Sequence, residues 1–136
     1  MANFIYKKAK EAMLNGQINI NSTNLKFLFV NSSNYSPNQN TNQFLSDIPA
    51  NARVYTSTAI NNVSTNLGVL DANDVVINYE GTAFQAVVLY QSGNTDQDSR
   101  LISFIDTSEG LPFAQTSESV SLSIQWDNSS TKIITI

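Results

Sequence analysis

The chain has 136 residues, of which 41% are hydrophobic and only 13% charged, with a formal net charge of -4. That length fits a single domain spanning residues 1–136, with enough apolar residues for one contiguous core. There is no His and no Cys, which excludes Cys or His nucleophiles, Ser–His–Asp triads, nearly every zinc site and every disulfide.

Charged residues normally make up about 25% of a soluble domain. Asn, Ser and Thr fill the gap here, so the surface is expected to be polar but mostly uncharged. Apolar runs such as Leu25–Val30 and Phe84–Tyr90 recur, and a chain that buries them folds rather than staying disordered. The acidic balance argues against a nucleic-acid partner, because phosphate binding is driven by Lys and Arg, and the chain has seven. No apolar stretch approaches the ~20 residues of a membrane span, and the first residues lack the apolar core of a secretory signal. The expectation is a soluble protein made in the cytoplasm, with no membrane partner.

In chain order, residues 1–16 read as one short N-terminal α-helix. Asn3 is placed to cap it, and Ile5, Ala9, Ala12 and Met13 form an apolar stripe widened by Phe4 and Leu14. Gly16 stands at the expected left-handed stop. Lys7, Lys8 and Lys10 read as a solvated face. A helix of about three turns is marginal alone, so the stripe must dock, first on the domain's own sheet and otherwise on a neighbouring subunit.

From Gln17 the pattern is β. Ile18 and Ile20 alternate with polar residues, and Leu25–Val30 is a continuous apolar strand. Such a run implies burial on both sides or an outward face covered by a partner. Residues 31–42 read as a polar surface excursion or contact arm. A helical turn is expected near Phe44–Ile48, closed by Pro49. Arg53–Thr58, Val75–Tyr79, Phe84–Tyr90, Leu101–Ile105, Val120–Trp126 and Lys132–Ile136 read as further strands. Val75–Tyr79 and Phe84–Tyr90 look like a hairpin across Glu80–Ala83. Trp126 lies in phase with Val120, Leu122 and Ile124 and is expected in the core. The fold class is therefore mostly β: an antiparallel β-sandwich or partly open barrel of about seven or eight strands, with one short N-terminal α-helix. No internal repeat or domain linker interrupts it.

Few residues suggest chemistry. Asn94, Asp96 and Asp98 place oxygen ligands at alternate positions, like the start of a calcium loop, but Ser99 and Ile105 stand where the template needs Gly and Glu. The segment reads better as an acidic hairpin tip. Asp71-Ala72-Asn73-Asp74 reads as a turn that starts the Val75 strand. Asp96 and Asp98 would share a side if extended, as paired glycosidase carboxylates do, yet no sugar cleft accompanies them. Sequons at Asn21, Asn31, Asn34, Asn62 and Asn128 follow from composition alone. The five glycines are scattered, so there is no phosphate loop. The sequence thus assigns no catalytic, cofactor-binding or metal residue and points to a protein that is not an enzyme.

Taken as a whole, the chain resembles a family of small structural proteins of tailed phages. The resemblance runs from Phe4-Ile5-Tyr6-Lys7-Lys8-Ala9 and Gly16-Gln17-Ile18 through Leu25–Val30, Tyr35, Pro37 and Phe44–Ile48. It continues in Leu67–Asp74, Gly81–Tyr90, Arg100-Leu101-Ile102, Ile105-Asp106, Gly110-Leu111-Pro112 and Ile124-Gln125-Trp126-Asp127. These are packing and turn patterns, not chemical signatures. The resemblance implies a virion protein, most similar to capsid decoration or cement proteins that sit on the assembled shell and often form trimers. A neck, tail or baseplate component is the nearest alternative. The implied partners are the major capsid protein or other virion proteins, together with further copies of the chain, a trimer being favoured with contacts over Leu25–Val30 or the helix face. From a different class, a carbohydrate- or receptor-binding β-sandwich would need Tyr35, Tyr55, Tyr79, Tyr90 and Trp126 exposed together.

Overall fold

The computed structural model describes residues 3–18, 24–57, 59–60, 64–66, 69–72, 75–106, 111, 113, 116–124 and 134–135. The described residues are mostly β with one short helix. A short strand β1 (Phe4–Ile5) leads into α1 (Lys7–Leu14), followed by β2 (Leu25–Val30), β3 (Arg53–Thr56), β4 (Ser64–Asn66) and β5 (Val69–Asp71). Then come β6 (Val75–Gly81), β7 (Ala86–Gln91), β8 (Arg100–Ile105), β9 (Thr116–Ile124) and β10 (Ile134–Thr135).

Five strands form one antiparallel sheet in the order β1-β8-β7-β2-β3. A row of paired residues crosses it: Phe4 opposite Phe104, Phe104 opposite Val88, Val88 opposite Leu28, and Leu28 opposite Thr56. Residues paired across strands point to the same face, so Phe4, Phe104, Val88 and Leu28 share one side. Tyr6 and Tyr35 pack their rings on that side, against Phe4 and Phe104. The opposite side carries Phe29, over which β6 lays Ile77 and Tyr79, with Phe84 joining the cluster.

Both faces of β2 are therefore covered from within the chain, and Leu25, Phe27, Leu28, Phe29 and Val30 are all buried. Of the two explanations for this apolar run, burial on both sides is the correct one. Its apolar side chains are covered by the chain's own residues.

The N-terminus corrects the sequence reading. The helix covers Lys7–Leu14, not residues 1–16, because Phe4 and Ile5 are drawn into the sheet beside β8. Asn3 caps no helix; its Oδ1 accepts the Asp106 backbone N–H at 3.0 Å. Tyr6 occupies the N-cap position without a side-chain capping bond. The helix starts there because the Tyr6 N–H is donated to the Ile102 carbonyl of β8 at 3.0 Å. The sequence KKAKEAML contains only good helix formers, and Ala9 and Ala12 form the buried face. The end matches expectation. Gly16 adopts φ 73°, its N–H bonding to Met13 O at 3.2 Å and Gln17 N–H to Ala12 O at 2.8 Å. Those two bonds make a Schellman cap.

The expected hairpin between Val75–Tyr79 and Phe84–Tyr90 does not form. β6 pairs with β9, whereas β7 pairs with β2 and β8. The register of β6 shifts between Tyr79 and Gly81, and Gly81 takes φ 131°. That break lets the chain leave one sheet before Phe84, which then bridges to Phe113. Of the last predicted strand, Ile134 and Thr135 pair with Leu70 and Val69. Trp126 lies outside the described residues.

Candidate functional site

Several charged side chains of the described residues gather where two loops meet beside the five-stranded sheet. There the loop after β7 meets the turn at Leu45–Asp47, a 3-10 helix as the sequence anticipated. Arg53, the first residue of β3, holds the two loops together. Its Nη1 donates to Asp96 Oδ2 at 2.7 Å, its Nη2 to the carbonyls of Leu45 (2.9 Å) and Ile48 (2.8 Å), and its Nε to Ile48 O at 3.0 Å. The planar guanidinium supplies these bonds at fixed angles, which an ammonium could not do. Asp47 closes the same turn by accepting the Gln43 and Phe44 backbone N–H groups at 2.8 and 2.9 Å.

The Asn94–Asp98 loop is a closed turn, not an open ligand cup. Asp98 Oδ1 accepts the Thr95 N–H at 2.8 Å, while the buried Ser99 hydroxyl donates to Thr95 O at 2.8 Å. Ser99 Oγ in turn accepts the Gly93 N–H at 2.9 Å. The loop packs so tightly that a Cβ on Gly93 would stand 2.7 Å from the Asp98 carbonyl oxygen. Asp96 faces Arg53 and Asp98 faces its own backbone, so the two carboxylates do not work as a pair. Among the described residues no group of three or more acidic side chains gathers to hold a metal. Of Asp71–Asp74, Asp71 ends β5 and residues 73 and 74 lie outside the described residues.

Residues 31–42 do not form a projecting arm. Tyr35 is buried, the Lys7 N–H is donated to Gln39 O at 2.9 Å, and Leu101 N–H to Gln43 O at 3.0 Å. The segment lies against β1 and β8. Its asparagines bond locally, as short polar side chains do in turns. Asn38 Oδ1 accepts from Asn40 and Thr41, and Asn42 Oδ1 from the Asn38 N–H. Tyr35 then donates to Asn42 Oδ1 at 2.8 Å.

Among the described residues the tyrosines do not assemble into an exposed sugar platform. Tyr35, Tyr79 and Tyr90 are buried, and Tyr55 is the only tyrosine among the described residues on the surface, at 36% exposure. Its ring contacts Phe29 and Tyr79, the outer members of a stack that continues through Phe84 to Phe113. Tyr79 donates its hydroxyl to Thr82 O at 2.6 Å, and burial holds its phenol above the ordinary range.

Arg100 lies at 5.0 Å over the ring of Phe44, the residue just before the Leu45–Asp47 turn. Its cross-strand partner is Gln91, and Arg100 Nη1 and Gln91 Oε1 are both buried polar atoms without a hydrogen-bond partner. Neither Arg53 nor Arg100 stood out in the sequence. An arginine at a strand start has no periodic signature, and the carbonyls it serves lie in loops whose path the sequence does not specify.

No family model matches the chain, and no curated protein matches its sequence. Among the described residues no helix is long and apolar enough to cross a membrane.

Proposed function

We propose that this chain is a structural component of a tailed-phage virion, acting as a capsid decoration or cement protein. Its role is to bind the assembled head shell and stabilise it through protein–protein contacts. The reading starts from the end-to-end resemblance of the sequence. It is supported by one observation above the others: the charged side chains of the Leu45–Asp47 and Asn94–Asp98 turns, with Arg53, hold loops in place. Arg53, Asp47, Asp96 and Asp98 each bond a backbone group or one another instead of facing a cleft. The exposed remainder is largely Asn, Ser, Thr and Gln, side chains that both donate and accept hydrogen bonds. Such a surface suits wide, repeated polar contacts, and low charge limits repulsion between identical neighbours.

The partners under this reading are the major capsid protein or other virion proteins, and copies of the chain itself, with a trimer favoured. With the β2 side chains buried within the chain, the reading assigns such contacts to other surfaces. Counting copies by quantitative mass spectrometry of purified particles tests the proposal. Copies in the hundreds support decoration, whereas a handful would favour a neck, tail or baseplate position. Absence from the particle would overturn both. The carbohydrate-binding alternative loses its main support with the burial of Tyr35, Tyr79 and Tyr90.

A further inference from the structure

Asn15 and Gly16 are the single Asn–Gly pair in the sequence, and both are exposed where α1 ends. This dipeptide is chemically self-reactive. The glycine backbone nitrogen can attack the asparagine side-chain carbonyl carbon, because no side chain hinders its approach. The fold leaves the surroundings open as well: a Cβ on Gly16 would meet nothing within 4 Å.

The cap geometry holds the reaction off. Asn15 has ψ 2°, which eclipses the Gly16 nitrogen with the backbone nitrogen of Asn15. The tetrahedral Cα then keeps Cβ, and the amide it carries, out of the plane that a five-membered ring requires. The Gly16 N–H is also committed to Met13 O, although at 3.2 Å this is the longer of the two capping bonds.

We propose that Asn15 is a site of spontaneous deamidation gated by the C-cap of α1. When the last turn frays, ψ of Asn15 is free to rotate and the Gly16 nitrogen is released. That nitrogen bonds to Asn15 Cγ, and its proton departs with the side-chain amide as ammonia, leaving a cyclic imide. Water then adds across one imide C–N bond. Cleavage at the side-chain carbonyl gives an aspartyl residue at this position, and cleavage at the backbone carbonyl gives an isoaspartyl linkage. Both products place a negative charge at the carboxyl end of a helix, where the macrodipole disfavours it. The isoaspartyl linkage also lengthens the main chain by one carbon, so the cap cannot close again in register.

The test is peptide mapping by mass spectrometry after incubating the folded and the urea-unfolded protein in mildly alkaline buffer. The Asn15 peptide is expected to gain the mass of an amide-to-acid conversion, slowly when folded and faster when unfolded. Leu14 is 89% exposed, so Leu14→Gly weakens the last turn without touching the core. It should raise the folded-state rate about four-fold, the difference in helix propensity between the two residues, and leave the unfolded-state rate close to that of the parent. Equal rates in the folded and unfolded parent protein would overturn the gating. Modification of other asparagines ahead of Asn15 in the folded protein, or none at Asn15 in either state, would overturn the site.

Discussion

The Tyr6 hydroxyl donates to the Tyr35 hydroxyl across 2.9 Å, and the direction of that bond is set by Asn42. Tyr35 has one hydroxyl proton and gives it to Asn42 Oδ1, so Tyr6 must supply the proton between the two tyrosines. The relay joins the entrance of α1 to the loop that crosses β1 and β8. It places two phenols where water cannot solvate their ionised forms.

That burial gives the first prediction. Tyr35 is pushed up from 10.0 to about 12, chiefly by desolvation, and Tyr6 is raised further still for the same reason. The folded state therefore holds these protons more tightly than the unfolded chain does. Their contribution to stability is complete below pH 10 and is lost as the pH rises towards 12. Urea melts across that window should show falling stability, with a shallower fall in Tyr35→Phe. At neutral pH the same substitution should cost about 1–2 kcal/mol, since it leaves the buried Tyr6 hydroxyl without its acceptor.

Arg53 and Asp96 form an ion pair whose two ends are not equivalent. Asp96 is half exposed, so Asp96→Asn should cost less than about 1 kcal/mol. Arg53→Ala removes the donor to the carbonyls of Leu45 and Ile48 as well, and should cost about 2–3 kcal/mol. Arg53→Lys should recover only part of this, because an ammonium cannot reach all three loop acceptors. Thermal melts of the three variants check the order.

Chelation should leave the protein unchanged. The Asp98 carboxylate already accepts a backbone N–H and Asp96 an arginine, so the loop does not depend on a cation. Melting temperatures with EDTA and with excess calcium are expected to coincide. A drop of several degrees with EDTA, restored by calcium, would contradict this account of the loop.

Phe27 and Phe29 lie in a strand buried on both faces. Phe27→Ala should cost about 3–5 kcal/mol, as aromatic truncations in cores do. Phe27→Asp should unfold the chain outright, since a carboxylate there has no partner. Circular dichroism beside light scattering separates this from the alternative. A variant that stays folded but changes its state of assembly would return the strand to the surface.

The strands that the sequence made plain are those with strong local pattern. Leu25–Val30 and Leu101–Ile105 announce themselves by apolar continuity, and Gly16 by being the residue a helix end requires. What stayed hidden was pairing. Nothing local tells Phe84 that it will bridge Phe113 instead of folding back on Val75–Tyr79, because antiparallel partners are chosen by packing between distant segments. Phe4 and Ile5 fit a helical stripe equally well; the sheet claims them because β8 offers an edge and a facing phenylalanine. The candidate site was legible in its negatives, such as the incomplete calcium loop. Its main organiser, Arg53, was not, since it acts on backbone carbonyls that leave no trace in a side-chain pattern.

The pairing of Phe4 with Phe104 also sets a timetable for synthesis. The first strand of the sheet cannot find its partner until the chain has been translated past β8. Until then α1 has no surface on which to rest its alanine face, and an isolated helix of eight residues does not persist. On the ribosome, β2 can meet β3 early, but its other edge waits for β7 and remains open to strands of other nascent chains. Contacts this distant in sequence make for slow folding. The yield of native protein should therefore depend on how quickly the β7–β8 segment emerges, and slowing translation between β3 and β7 should raise the aggregated fraction.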